Sequence, residues 1–164
     1  MADSLKNVIA TNRFVLGYAS MLLDDLPDEK LCEQPVSGVN HPAWIIGHLS
    51  NTADSVSAWF GAQPSISDNV KKTLGLGSTP STNRADYPSK EKLLQLLNET
   101  HERLYQLIAA ADESQLDAPT PFPRLAAGLP TIREALTFIL VGHVGVHLGQ
   151  LSTWRRMIGL PPLF

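Results

Sequence analysis

His143-Val144-Gly145-Val146-His147-Leu148-Gly149-Gln150-Leu151 decides the fold when it is read as a helix. Two histidines four apart then lie one turn above each other on the same face. Extended at the same period, the inner stripe is Leu136, Leu140, His143, His147, Gln150, Leu151 and Trp154. Thr131-Ile132-Arg133-Glu134 reads as a capping box at the start, and Gly159 with Pro161-Pro162 ends the helix near Ile158. At ~1.5 Å per residue it is roughly 40 Å long. Gly142, Gly145 and Gly149 lower its propensity by roughly 1 kcal/mol each against alanine. A neighbouring helix packed closely there would offset that cost.

Three further helices precede it. The first covers Ser4 to Leu26, with Leu5, Val8, Ile9, Val15, Leu16, Ala19, Leu22 and Leu23 on one stripe. Asn12 falls inside that stripe, so its amide either sets the register through buried hydrogen bonds or faces a wet pocket. The second begins at Asn40-His41-Pro42, with Asn40 or His41 as its cap, and runs to about Phe60. Trp44, His48, Thr52, Ser55 and Trp59 share one of its sides. The third runs from Ser89 to about Ala111, with Thr100 in its leucine-rich face and His101 half-exposed at the edge. Of the Gly- and Pro-rich connectors, 61–88 is long enough to be functional or mobile, and Ile66 to Leu76 can hold a short helix. With no convincing strand, the expectation is an all-α, four-helix bundle with long crossover loops, one domain over residues 1–164.

Composition narrows the function. The chain has 164 residues, of which 43% are hydrophobic and 18% charged, and a net charge of −3. Its basic residues are scattered apart from Lys71-Lys72 and Arg155-Arg156, so no footprint for a nucleic-acid backbone is present. A lone Cys32 excludes an internal disulfide framework and fits a reducing compartment. Met-Ala-Asp-Ser-Leu-Lys has no signal-peptide pattern, and the weakly polar run Leu136–Leu151 is too short to span a bilayer. The expectation is a cytoplasmic protein without membrane or nucleic-acid partners.

The chemistry lies in His48, His143 and His147. Read separately, each is a core or surface histidine satisfied by its own hydrogen bond. Read together on core-facing stripes, the three imidazoles are satisfied by one divalent ion, with no evident fourth ligand, which is the pattern of an open site. Gln150, within a turn of both His143 and His147, can orient a ligand, bind an imidazole from behind, or be a buried amide paired elsewhere. Asn12 and Thr100 are further pocket candidates. His41 reads as a cap, Cys32 as incidental, and Arg155 and Arg156 as partners of the helix dipole, with a carboxylate-binding role open to one of them.

Asn40-His41-Pro42-Ala43-Trp44-Ile45-Ile46-Gly47-His48-Leu49 resembles the second-helix motif of the DinB-like superfamily. His143 to Leu151, with Arg155-Arg156 and Gly159-Leu160-Pro161, is similar to that superfamily's last-helix signature. The resemblance implies a four-helix bundle holding one divalent metal through His48, His143 and His147. Better-understood relatives are thiol-dependent S-transferases and a thiol-dependent isomerase of maleylpyruvate. The resemblance therefore implies a metal-dependent transferase acting on a small molecule with a small thiol, and it allows a homodimer. Nickel, zinc, iron and manganese all accept imidazole. A non-catalytic metal- or ligand-binding module and a metal-dependent hydrolase are the competing readings. Against hydrolysis, no Asp or Glu lies on the His143 face, and Asp54 lies off the His48 face.

Overall fold

Leucines spaced by three and four residues give each long segment one apolar face, and those faces close on one another. The computed structural model describes residues 3–163; Met1 and Ala2, on which part of the leader reading rests, lie outside the described residues with Phe164. Its helices are α1 (Asp3–Asp24), α2 (Pro42–Ser57), α3 (Asp68–Leu74), α4 (Lys90–Ala110), α5 (Glu113–Leu116), α6 (Pro123–Ala126) and α7 (Ile132–Met157). The architecture is all-α, and the described residues contain no strand, only an isolated bridge between Pro119 and Thr131. The long helices α1, α2, α4 and α7 are the four expected. α2 packs along α4, α7 meets both α1 and α2, and α3 lies on α2.

The ends follow the expected chemistry. His41 caps α2, its Nδ1 accepting the Trp44 N–H at 3.2 Å. Ser89 caps α4, and Thr131 and Glu134 complete both halves of the capping box on α7. One apolar cluster joins Leu22, Leu23, Ile45, Leu49, Leu151 and Trp154; a second joins Leu5, Val56, Leu104, Ile108, Leu136 and Leu140.

Several expectations are corrected. The short helix expected within Ile66 to Leu76 spans Asp68–Leu74, and the Pro-rich connector 112–130 carries two short helices, α5 and α6, that the sequence reading did not name. The run Leu136–Leu151 lies inside a 26-residue helix, which by length and composition alone is long and apolar enough to cross a membrane. Its apolar length has a second cause, because Leu136, Leu140, Leu148 and Leu151 are buried in the two clusters above. Gly145 and Gly149 face open space, so no helix packs closely on them. Arg155 does not simply meet the dipole: it is buried, with its guanidinium on the Asp25 carboxylate and the Leu22 carbonyl. His101 is buried rather than half-exposed, its Nδ1 on the Leu97 carbonyl at 2.8 Å.

The feature the sequence does not announce is a π-helical segment, Phe138–His143, inside α7. Such an insertion displaces backbone groups from the regular ladder and recurs at functional sites. Here the Leu140 carbonyl accepts the Asn12 side-chain N–H, and Asn12 Oδ1 accepts the Tyr105 hydroxyl. Asn12 is completely buried, so these bonds replace all its contact with water. Three helices are thereby tied together at the turn immediately before His143.

Asn12→Ala is expected to leave the Leu140 carbonyl and Tyr105 hydroxyl without these partners and to cost about 2–4 kcal/mol, whereas Tyr105→Phe costs about 1 kcal/mol. Urea unfolding of both variants measures the order; equal, near-zero losses would show that the bonds do not hold the turn. Burial lowers the His101 pKa from 6.5 to about 4. The folded protein therefore binds fewer protons there than the unfolded chain, and this contribution to stability falls as pH drops from about 6.5 to about 4. Metal-free His101→Leu is expected to lose about 2–3 kcal/mol less than the parent over that interval. Denaturant midpoints at the two ends of the range measure the difference.

Candidate metal centre

α2 delivers His48 from a face that is buried almost throughout. Gly47 permits this locally: a Cβ there would collide with Cδ2 of the buried Leu74. Without that Cβ, the C-terminus of α3 reaches α2, and the Leu74 carbonyl lies 2.9 Å from His48 Nδ1. A carbonyl accepts only, so His48 Nδ1 carries the proton and Nε2 holds the free lone pair. The Trp44 indole stacks on the ring, with centroids 4.6 Å apart and planes 6° from parallel.

α7 supplies the other two rings. His143 closes the π segment, and its Nε2 lies 3.3 Å from His48 Nε2. His147 follows one turn later, its Nδ1 donating to Gln150 Oε1 at 3.1 Å, which leaves Nε2 with the lone pair. Gln150 Oε1 also accepts from Asn40 at 3.2 Å. Ligand-capable nitrogens of all three histidines lie within 4.8 Å of one another. His48 and His147 are 3% and 8% exposed, and His143 is half-buried.

The electrostatics suit a cation. Burial lowers the His48 pKa. Burial first, then the neighbouring His147 and His48, lowers His143 to about 3. Burial and then His48 lower His147 to about 4. All three rings are therefore neutral near pH 7, the form that ligates metal. Three neutral nitrogens, two of them oriented from behind by an oxygen, fit a divalent ion. His143 Nδ1 is buried with no hydrogen-bond partner, and the rings of Phe138 and His147 lie beside that imidazole.

Beside the cluster is a cavity of about 320 Å³. His48 and His143 line it with Asn51, Thr52, Ser55, Val56 and Trp59 of α2 and its end, Leu76, Phe122, Leu125, Phe138 and Ile139. Gly142 gives the Phe138 ring its place, since a Cβ there would meet that ring at 2.9 Å. Neither Asn12 nor Thr100 lines this cavity. Asn12 is bound to the π segment, and the Thr100 hydroxyl donates to the Leu96 carbonyl of its own helix at 2.7 Å. Gln150 sits behind His147 and is exposed. Asp54 is buried away from the centre, accepting from the Ser65 and Ile66 N–H groups and facing Lys71 and Arg103. Sequence reasoning missed Asn51, Leu76, Phe122, Leu125 and Phe138. Only Asn51, three residues after His48 and so one turn on, carried a spacing signal.

A profile of the DinB superfamily matches residues 14–151, a span containing all three histidines. No curated protein matches the chain. With a helical fold, a three-histidine cluster that can hold a metal ion, and a family match over most of its length, the chain belongs to the DinB superfamily.

Proposed function

We propose that this protein is a divalent-metal-dependent enzyme of the DinB type, a transferase that joins a low-molecular-weight thiol to an electrophilic small molecule. The observation that carries the reading is the cluster of three neutral imidazoles, two of which, His48 and His143, line a cavity large enough for a small ligand. His48, His143 and His147 would hold the ion. When bound, it supplies a Lewis acid with its full positive charge, which lowers the pKa of a thiol or water.

The chain's own residues do the remainder. The Leu74 carbonyl and Gln150 Oε1 fix two imidazole tautomers, and Trp44 covers one face of His48. Trp59, Phe122 and Phe138 exclude water around the reacting groups. In the transfer, a bond forms between thiol sulfur and the electrophilic carbon, the leaving group departs with the bonding pair, and the thiol proton passes to solvent.

Cys32 is not the nucleophile in this reading. It is buried in the core, and burial pushes its thiol up to about 11. The thiol therefore comes from outside the chain. Hydrolysis is disfavoured because no carboxylate lines the cavity among the described residues to serve as a base. A purely structural metal site is disfavoured because the described cluster offers three protein ligands rather than a closed set of four.

Elemental analysis of protein purified without a histidine tag should find about one equivalent of divalent metal, lost in His48→Ala. With a panel of cysteine, glutathione and other small thiols against monobromobimane, consumption should exceed the buffer rate. It should fall by roughly a hundredfold or more after chelation or in His143→Ala. Stoichiometric metal with no metal-dependent thiol consumption would refute the transferase and retain the binding module.

A further inference from the structure

We propose that the cavity beside the three histidines takes an amphiphilic small molecule. Its apolar body packs on Trp59, Leu76, Phe122, Leu125 and Phe138, and its polar, reactive end is turned to His48 and His143. The proposal rests on the reading that this cavity serves the metal centre, and it names the class of electrophile joined to the thiol there.

The five apolar side chains converge from four places in the chain. Trp59 belongs to the turn after α2, Leu76 to the connector after α3, Phe122 and Leu125 to α6 and the residue before it, and Phe138 to α7. All five remain partly open to water, Leu76 at 62% and Phe138 at 39%. One exposed apolar side chain needs no explanation, but five around one hollow form a surface that is stabilised by being covered. The hollow has about 320 Å³. At about 30 Å³ for each water-sized group it holds roughly ten non-hydrogen atoms, the size of a small molecule.

The polarity of the lining decides how that molecule is built. Among the described residues, no Asp, Glu, Lys or Arg lines the cavity. The polar side chains that α2 adds beside His48 offer little in their place. The Thr52 hydroxyl donates to the His48 carbonyl at 2.9 Å, and Asn51 Oδ1 is sealed from the cavity, which leaves the uncharged Ser55. A charge carried on the ligand's body would lose its hydration against these walls with no counterion to replace it. The balance reverses where His48 and His143 line the cavity, because a divalent ion held there favours a polar or anionic group. One part of the lining therefore suits a polar head, and the rest suits an apolar body.

The test titrates metal-loaded full-length protein with straight-chain hydroxamic acids of two to six carbons, whose head group chelates divalent ions. A six-carbon hydroxamic acid ending in a carboxylate is the charged control. Chelated protein is titrated with straight-chain alcohols of the same lengths, and binding is followed through the Leu76 and Leu125 methyl resonances. In both arms each added methylene should tighten binding about three- to fourfold. The carboxylate-ended chain should bind at least tenfold more weakly than the plain chain, an effect on the order of one buried uncompensated polar group. Phe122→Ser and Leu76→Ser should each flatten the series while the two-carbon hydroxamic acid binds as in the parent. Leu76 is the more exposed of the two, so its variant decides if Phe122→Ser does not fold. A flat alcohol series in the parent, a carboxylate-ended chain bound as tightly as the plain one, or a slope unchanged by the substitutions overturns the proposal. A chain-length dependence in protein shown to bind no metal upholds this proposal while the metal-dependent transferase fails. Stoichiometric metal and metal-dependent thiol consumption with a flat series do the reverse.

Discussion

Three largely buried imidazoles meet at one point, and the surrounding structure is organised by the need to keep them neutral, oriented and close together. Burial disfavours protonation of each, and each proton on one ring would repel its neighbours, so the cluster is held in the ligating form. Neutral rings without fixed tautomers could still turn the wrong nitrogen inward. The Leu74 carbonyl and Gln150 prevent this for His48 and His147. His143 has no such partner; its position depends on the backbone that carries it, the π segment tied to Asn12 and, through it, to Tyr105.

The long connector between α2 and α4 is part of this construction. It is fastened at intervals by buried or half-buried polar groups of α2 and of the turn after α1. Asp54 holds the Ser65 and Ile66 N–H groups, Trp44 Nε1 donates to Ser78 Oγ, His41 Nε2 donates to the Ser81 carbonyl, and Arg84 pairs with Asp28. The fastenings made by Asp54, Trp44 and His41 hold the connector against the helix that carries His48. Gly47 sets how closely it can approach. A connector whose length reads as functional, mobile or partly helical is thus the source of the carbonyl behind His48 and of Leu76 in the cavity wall.

Local rules carried much of the reading. The capping box at Thr131, the caps at His41 and Ser89 and the apolar period of the long segments all depend on residues within a turn or two of one another. The same holds for the pairing of His143 with His147. Non-local features were misread for a common reason. Arg155 and His101 looked peripheral because their burial depends on α1 and on the opposing helices, and Gly145 and Gly149 suggested a neighbour that lies elsewhere. Gln150 had three open roles in the sequence; in the fold its Oε1 accepts from His147, three residues before it, and from Asn40, 110 residues away.

The sequence by itself determined the helices, their ends, and the two separate segments that bear histidines, because propensity, capping and the 3.6-residue period act over short distances. Only the tertiary structure decided that His48 meets the other two rings and that a π turn positions His143. It also decided that Phe122, Leu125 and Phe138 enclose a cavity beside that cluster. Those outcomes depend on how closely helices approach and on where buried polar groups find partners, and these are properties of packed surfaces rather than of any single stretch of chain.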